Sequence, residues 1–266
     1  MRVAANLSML WASEPFDERF ASAARAGFDA VELWWPGEED ARRLPELTSA
    51  QGLQLVALNF DAGDMPAGDR GLVGLPDARD RFRAHVPEAL AIASACGCTR
   101  MNALVGLRDE RYALDEQLAC TRDQLAWMAG PAADHGVTIL IEAVNTFENG
   151  PYLLPTTEEA DALVRGCELE QVRLLYDAYH RARQGGDVLS GLEQHWDLIA
   201  HVQVADCPGR NEPGTGEVDY DRFFEELRAR SYGGAVGLEY RPSDGDTDRS
   251  LQWFRDAGLL DVARRA

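Results

Sequence analysis

The chain has 266 residues, with 45 acidic side chains against 26 basic ones and a formal charge of −19. That length suits one α/β domain of about 250 residues with a large buried core. The charge argues against a non-specific hold on nucleic-acid phosphates or an anionic membrane, both of which need a basic face.

Strand-like runs and helical patterns alternate along the chain. The first run is RVAAN, near residue 2, and PFDERFASAARAGF follows it as a helix opened by Pro15 and acids and closed at Gly27. DAVEL at 29, QLVALN at 54 and TRMNAL at 99 come next, then VTILIE, VRLLYD, IAHVQVA and AVGLE. Eight βα units at about 30 residues each predict a single (β/α)8 TIM barrel over residues 1–266. Two Gly/Asp/Pro-rich stretches are too long for simple connectors: NFDAGDMPAGDRGLVGLPDARD after the third run, and DCPGRNEPGTGEVDY after the seventh. Both follow a strand, which places them on the catalytic face, and they carry Arg70 and Arg210, each able to fork onto a carboxylate.

Every basic residue is arginine, which removes lysine-dependent Schiff-base chemistry, pyridoxal phosphate attachment and a P-loop. The start MRVAANLSML has no basic segment followed by a long apolar run, and no run approaches the roughly 20 residues that span a bilayer, so a cytoplasmic protein is expected. Five cysteines without CxxC spacing fit reduced thiols, with Cys96 and Cys98 as packing residues.

Four polar residues close the last four runs: Glu142, Asp177, Gln203 and Glu239, separated by 35, 26 and 36 residues. One barrel unit apart, they converge on one mouth. Three carboxylates and an amide there make a hard-cation site, because a buried carboxylate needs a positive partner and no lysine exists to supply one. The competing reading is that each acid caps the helix after its strand. Of the histidines, His85, His135 and His195 are expected at the surface. His201 alternates with Gln203 on one face and is expected to line the barrel interior and support the site from behind. Trp34 and Trp35 are candidates for the pocket wall, and Arg241 is expected to turn away from Glu239 by strand alternation.

AANLSMLW, AGFDAVE, GDRGLVGLP, IEAVNT, DAYH, HVQVADCPGRNEPGTGEVDY and GLEYRP together resemble the hydroxypyruvate isomerase family, within the xylose-isomerase-like barrels. The resemblance runs nearly end to end. It implies interconversion of hydroxypyruvate and tartronate semialdehyde on a small hydroxy-oxo acid substrate, with 2-oxo-tetronate isomerase or ketose 3-epimerase as alternatives. It also implies that Glu142, Asp177, Gln203 and Glu239 hold the metal, that Glu142 and Glu239 are the acid/base pair, and that His180 and Arg210 bind substrate. Epimerases carry histidine where this chain has Gln203, and the all-oxygen set favours Mg2+ or Mn2+ over zinc. EAVNTFE resembles the epimerase pattern around Glu148, which joins the substrate-binding candidates with Arg70. Barrels of this group pair or form tetramers, so a homo-oligomer is possible. A multi-zinc abasic-site endonuclease would need more histidines and a basic groove, and a non-catalytic barrel would have no use for four intact polar strand ends.

Overall fold

The computed structural model describes residues 1–260. Eight parallel strands form a closed barrel in sequence order: β1 Arg2–Asn6, β2 Ala30–Leu33, β3 Gln54–Asn59, β4 Arg100–Asn102, β5 Thr138–Glu142, β6 Val172–Asp177, β7 Ile199–Val204 and β8 Ala235–Leu238. Closure is made by β1 against β8, from Arg2 opposite Ala235 to Ala5 opposite Leu238. Ring closure leaves no edge, so the strands are covered on both faces and read as apolar runs.

The first helix, Phe16–Arg25, starts after Pro15 and ends before Gly27, whose φ of 102° only glycine adopts without strain. Thr156 opens Thr157–Cys167 with a capping box, its hydroxyl and the Glu159 carboxylate each satisfying a backbone N–H. The long segment between β3 and the helix Arg79–Ala95 has only a short 3-10 turn, Pro76–Ala78, and lies over the barrel mouth through a bridge between Gly71 and Val105.

Inside the barrel the pleat sorts residues into layers. Ala4, Ala30, Val56 and Ala235 form a small apolar cluster of their own, separate from the main core between strands and helices. Two residues further along β1, β2 and β8 come Asn6, Glu32 and Gly237, and one more step beyond Gly237 is Glu239. The interior therefore turns from apolar to polar toward the C-terminal ends. No helix among the described residues is long and apolar enough to cross a membrane.

Candidate active site

Glu142 ends β5, Asp177 ends β6, Gln203 is next to last in β7, and Glu239 directly follows β8. Their exposures are 5%, 4%, 5% and 4%. Glu142, Gln203 and Glu239 line a cavity of about 720 Å³ together with Trp34, Arg70, Asn102, Glu148, His180, Arg210 and Arg241. Asp177 is not among the lining residues, but ligand atoms of Glu142, Asp177 and His180 lie within 4.8 Å of one another.

Each polar strand end is aimed by a neighbour. Asn102 Nδ2 donates to Glu142 Oε2 at 2.7 Å. Trp34 Nε1 donates to Glu239 Oε1 at 2.5 Å, and an Arg210 terminal nitrogen approaches the same oxygen at 3.5 Å. Asp177 Oδ1 accepts from the Tyr179 and His180 amides at 2.7 and 3.3 Å, capping the helix Ala178–Arg183. The capping reading thus holds for one oxygen of Asp177 and for none of the other three residues. Gln203 Nε2 donates to Glu32 Oε1 at 2.7 Å.

After these bonds, Asp177 Oδ2 and Gln203 Oε1 remain buried without a hydrogen-bond partner. Unpaired buried acceptors are costly. Two such oxygens beside two further carboxylates fit a hard divalent cation, and the donor set offers oxygen alone.

His180 is excluded from that set by its tautomer. Its Nδ1 lies 3.2 Å from the Asn145 backbone nitrogen, which can only donate, and 2.7 Å from Asn145 Nδ2. Nδ1 therefore carries the lone pair and Nε2 the proton. Nε2 points between Glu142 and Asp177, at 3.6 and 3.7 Å. It is a hydrogen-bond donor.

Electrostatics follow from burial. Desolvation, with Glu239 and Asp177 adding repulsion, raises Glu142 well above the usual carboxylate range. Burial pushes Glu239 up to about 8 and Asp177 to about 6, in each case opposed by Arg210. Burial works to lower the Arg210 pKa, but Glu239, Asp177 and Glu142 outweigh it and raise it. His180 is held neutral by burial, and Arg210 adds to the effect.

Arg210 is placed by a structured loop. The Asp206 carboxylate accepts four backbone N–H groups, from Cys207 at 2.9, Gly214 at 2.8, Gly216 at 2.9 and Val218 at 3.1 Å. A Cβ at Gly216 would lie 2.1 Å from the Cys207 carbonyl oxygen, so this clasp needs glycine. Arg210 itself takes φ 55°, and its guanidinium stands 5.2 Å from the centre of the Tyr179 ring.

Arg70 differs in being held by neutral acceptors alone. Its Nε donates to Asn149 Oδ1 at 3.2 Å, and one terminal nitrogen donates to the Met65 and Asp69 carbonyls at 3.0 and 2.7 Å. Glu148 lines the cavity, but its carboxylate already accepts from Tyr179 Oη and, at 3.1 Å, from Arg183 Nε.

Several expectations need correction. His195 is 2% exposed and bonds Asp161 through Nδ1 at 2.8 Å; it stands in the connection to β7, where a paired imidazole packs into the core. His85 is half-buried, its ring edge-on to Trp35 at 4.5 Å, its Nε2 accepting from the Asp61 amide at 3.0 Å. Only His135 of the three is exposed. Arg241 lines the mouth with Glu239 rather than turning away from it, since residues two apart share a face in an extended chain and Arg241 is two beyond Glu239. His201 faces inward as expected, but it binds Glu32, with Nε2 and Oε2 2.6 Å apart. Burial pushes the Cys96 and Cys98 thiols up to about 11 and about 12, consistent with packing residues.

The residues sequence reasoning missed are the aiming groups: Glu32, Asn102, Asn145 and Asp206. Glu32 had one signal, an acid inside AVEL, where a barrel strand has no solvent face to receive it.

Residues 20–257 match the model of the xylose isomerase-like TIM barrel family. The chain is 34% identical to the hydroxypyruvate isomerase of Escherichia coli, covering 96% of this chain and 98% of that one. It is 36% identical to the 2-oxo-tetronate isomerase of Cupriavidus necator, covering 96% and 97%. Among solved structures, a Brucella melitensis protein described as AP endonuclease, family 2, superposes with a TM-score of 0.92 at 34% identity over 98% of this chain and 99% of that one. A match over this much of the chain, converging on one polar barrel mouth, shows that the protein belongs to the xylose isomerase-like TIM barrel family and to the hydroxypyruvate isomerase-like enzymes within it.

Proposed function

We propose that the protein interconverts hydroxypyruvate and tartronate semialdehyde by proton transfer between adjacent carbons. The observation that carries this reading is the pair Glu142 and Glu239, three strands apart in the ring, each aimed by a dedicated donor and each raised by burial above the ordinary carboxylate range, as a group that takes and returns protons needs. Glu142, Asp177, Gln203 and Glu239 would hold a divalent ion, Mg2+ or Mn2+ by their chemistry. Bound there, the ion supplies electrostatic stabilisation of the negative charge that develops on the substrate oxygens.

The chain's own residues account for the rest. One carboxylate removes a proton from the hydroxymethyl carbon, and the electron pair of that C–H bond becomes the C=C of an enediolate. A proton is then delivered to the former carbonyl carbon, and the hydroxyl hydrogen passes between the two oxygens. His180 Nε2–H donates to a substrate oxygen, in a tautomer set by Asn145. Arg70, free of carboxylate partners, is the grip for the substrate carboxylate, with Arg210 balancing the acids and Glu148 at the rim.

A cavity of about 720 Å³ exceeds what a three-carbon acid fills, which favours as second reading a longer substrate, a four-carbon 2-oxo acid or a ketose. An endonuclease site with several zinc ions is not supported. His85, His195 and His201 are bonded away from the mouth, His135 is exposed, and the His180 lone pair is taken by Asn145.

The test is isomerisation of hydroxypyruvate by the metal-stripped protein, with and without Mg2+ or Mn2+, coupled to reduction of the semialdehyde. Metal-dependent turnover that Glu239→Gln lowers by about 10² to 10⁴ is expected. A folded, metal-loaded protein that turns over four-carbon oxo acids but not hydroxypyruvate would establish the second reading.

A further inference from the structure

Beneath the polar strand ends lies a buried acid that the proton-transfer chemistry does not use. Glu32, 1% exposed in the middle of β2, accepts at Oε1 from Asn6 Nδ2 at 3.0 Å and from Gln203 Nε2 at 2.7 Å, and its Oε2 meets His201 Nε2 at 2.6 Å. Two strands, β1 and β7, thus present three nitrogens to one carboxylate. On β8 the fold clears space for it: a Cβ at Gly237 would lie 2.2 and 2.3 Å from the two Glu32 oxygens. A β2 register shift between Val31 and Glu32 falls at the same place.

An amide side chain can present either its oxygen or its NH2 to a site, and only the oxygen can bind a cation. Turning the Gln203 amide over would set its oxygen against a carboxylate oxygen and lose a charge-assisted hydrogen bond. In the orientation that Glu32 enforces, Gln203 Oε1 is left buried and without a partner.

We infer that Glu32, itself held by His201 and Asn6 over Gly237, is the positioning residue that locks the Gln203 amide with its carbonyl oxygen toward the metal site. This rests on the reading of Gln203 as a metal ligand. It adds that a glutamine serves at this position because a buried carboxylate stands behind it. A field effect of the Glu32 charge would act on the cation whatever occupies position 203. The orienting effect acts through the amide alone and requires the carboxylate to reach it.

The experiment measures Mn2+ affinity by electron paramagnetic resonance of the free ion and by calorimetry, on the unsubstituted protein, Glu32→Asp, Glu32→Met, Gln203→Ala and Glu32→Met/Gln203→Ala. Glu32→Asp keeps the charge and withdraws the carboxylate by one methylene, and it serves if the methionine variant does not fold. Expected are losses of about 10- to 100-fold for Glu32→Asp and Glu32→Met, and no loss beyond about twofold when Glu32→Met is added to Gln203→Ala. Affinity retained within about twofold in Glu32→Asp, or the same loss from Glu32→Met with and without Gln203, would overturn the inference while leaving the metal site standing. No Mn2+ binding by the unsubstituted protein would overturn the metal reading itself, and this inference with it.

Discussion

Removing divalent ions should make the stability of this protein fall as pH rises. Burial raises Glu239 from an ordinary 4.5 to about 8 and Asp177 from 3.8 to about 6, and it lifts Glu142 in the same direction. Across roughly pH 4 to 8 the native, metal-free protein holds protons that the unfolded chain has released, and unfolding free energy declines with pH wherever the native state binds more protons. The stabilisation is complete below the unfolded values and gone above the folded ones. One pKa unit is worth about 1.4 kcal/mol; between pH near 5 and pH near 8.5 Glu239 passes through about three units and Asp177 through about one, on the order of 5 kcal/mol together. In a chain of this size about 1 kcal/mol moves Tm by about 2–4 °C, which translates into a drop on the order of 10–20 °C between pH near 5 and pH near 8.5. Calorimetric melts in a chelating buffer measure it, and Glu239→Gln supplies the control. A glutamine oxygen still accepts from Trp34, but the largest titration with a stated value is gone, so the chelated variant should melt higher than the unsubstituted protein above pH 8 and show a shallower decline. Saturating Mn2+ should flatten the unsubstituted curve. Parallel curves for the two chelated proteins would refute the reasoning, because the decline would then belong to the acidic surface rather than to the barrel mouth.

Two further substitutions separate the loop from the grip. Asp206→Asn turns one of its oxygens into an NH2 facing backbone donors, so a loss of about 1–3 kcal/mol by urea unfolding is expected, with reduced kcat/KM because Arg210 loses its support. Arg70→Ala removes a guanidinium held only by neutral groups, and KM for an oxo acid should rise about 10-fold or more while kcat changes little; an equal effect on a ketose without a carboxylate would show that Arg70 does not read the acid.

Much of the site was legible because strand ends are marked locally. VTILIE, VRLLYD and AVGLE each set an acid against a β-branched or aliphatic run, IAHVQVA sets an amide there, and spacing near one βα unit brings these four marks to one mouth. The same logic failed for Glu32. Alternation assumes that one face of a strand meets water, and in a closed barrel neither does, so the acid in AVEL signals burial only once the barrel is assigned, and nothing local names its partners Asn6, His201 and Gln203 on other strands. Arg241 misled for a simpler reason, since residues two apart share a face and Arg241 is two beyond Glu239. His195 gave no signal at all, because its partner Asp161 lies 34 positions earlier on another element.

By itself the sequence determined the eight βα units, the charge and missing lysine that exclude whole classes of chemistry, and the four polar residues at the barrel mouth. All of these depend on neighbours a few residues apart, where periodicity and side-chain type suffice. Tertiary structure alone decided how those residues are aimed: Trp34 meets Glu239 across 205 positions and Glu32 meets Gln203 across 171. Such contacts exist only once β1 pairs with β8 and the ring closes, since closure carries side chains from opposite ends of the chain into one interior that excludes water.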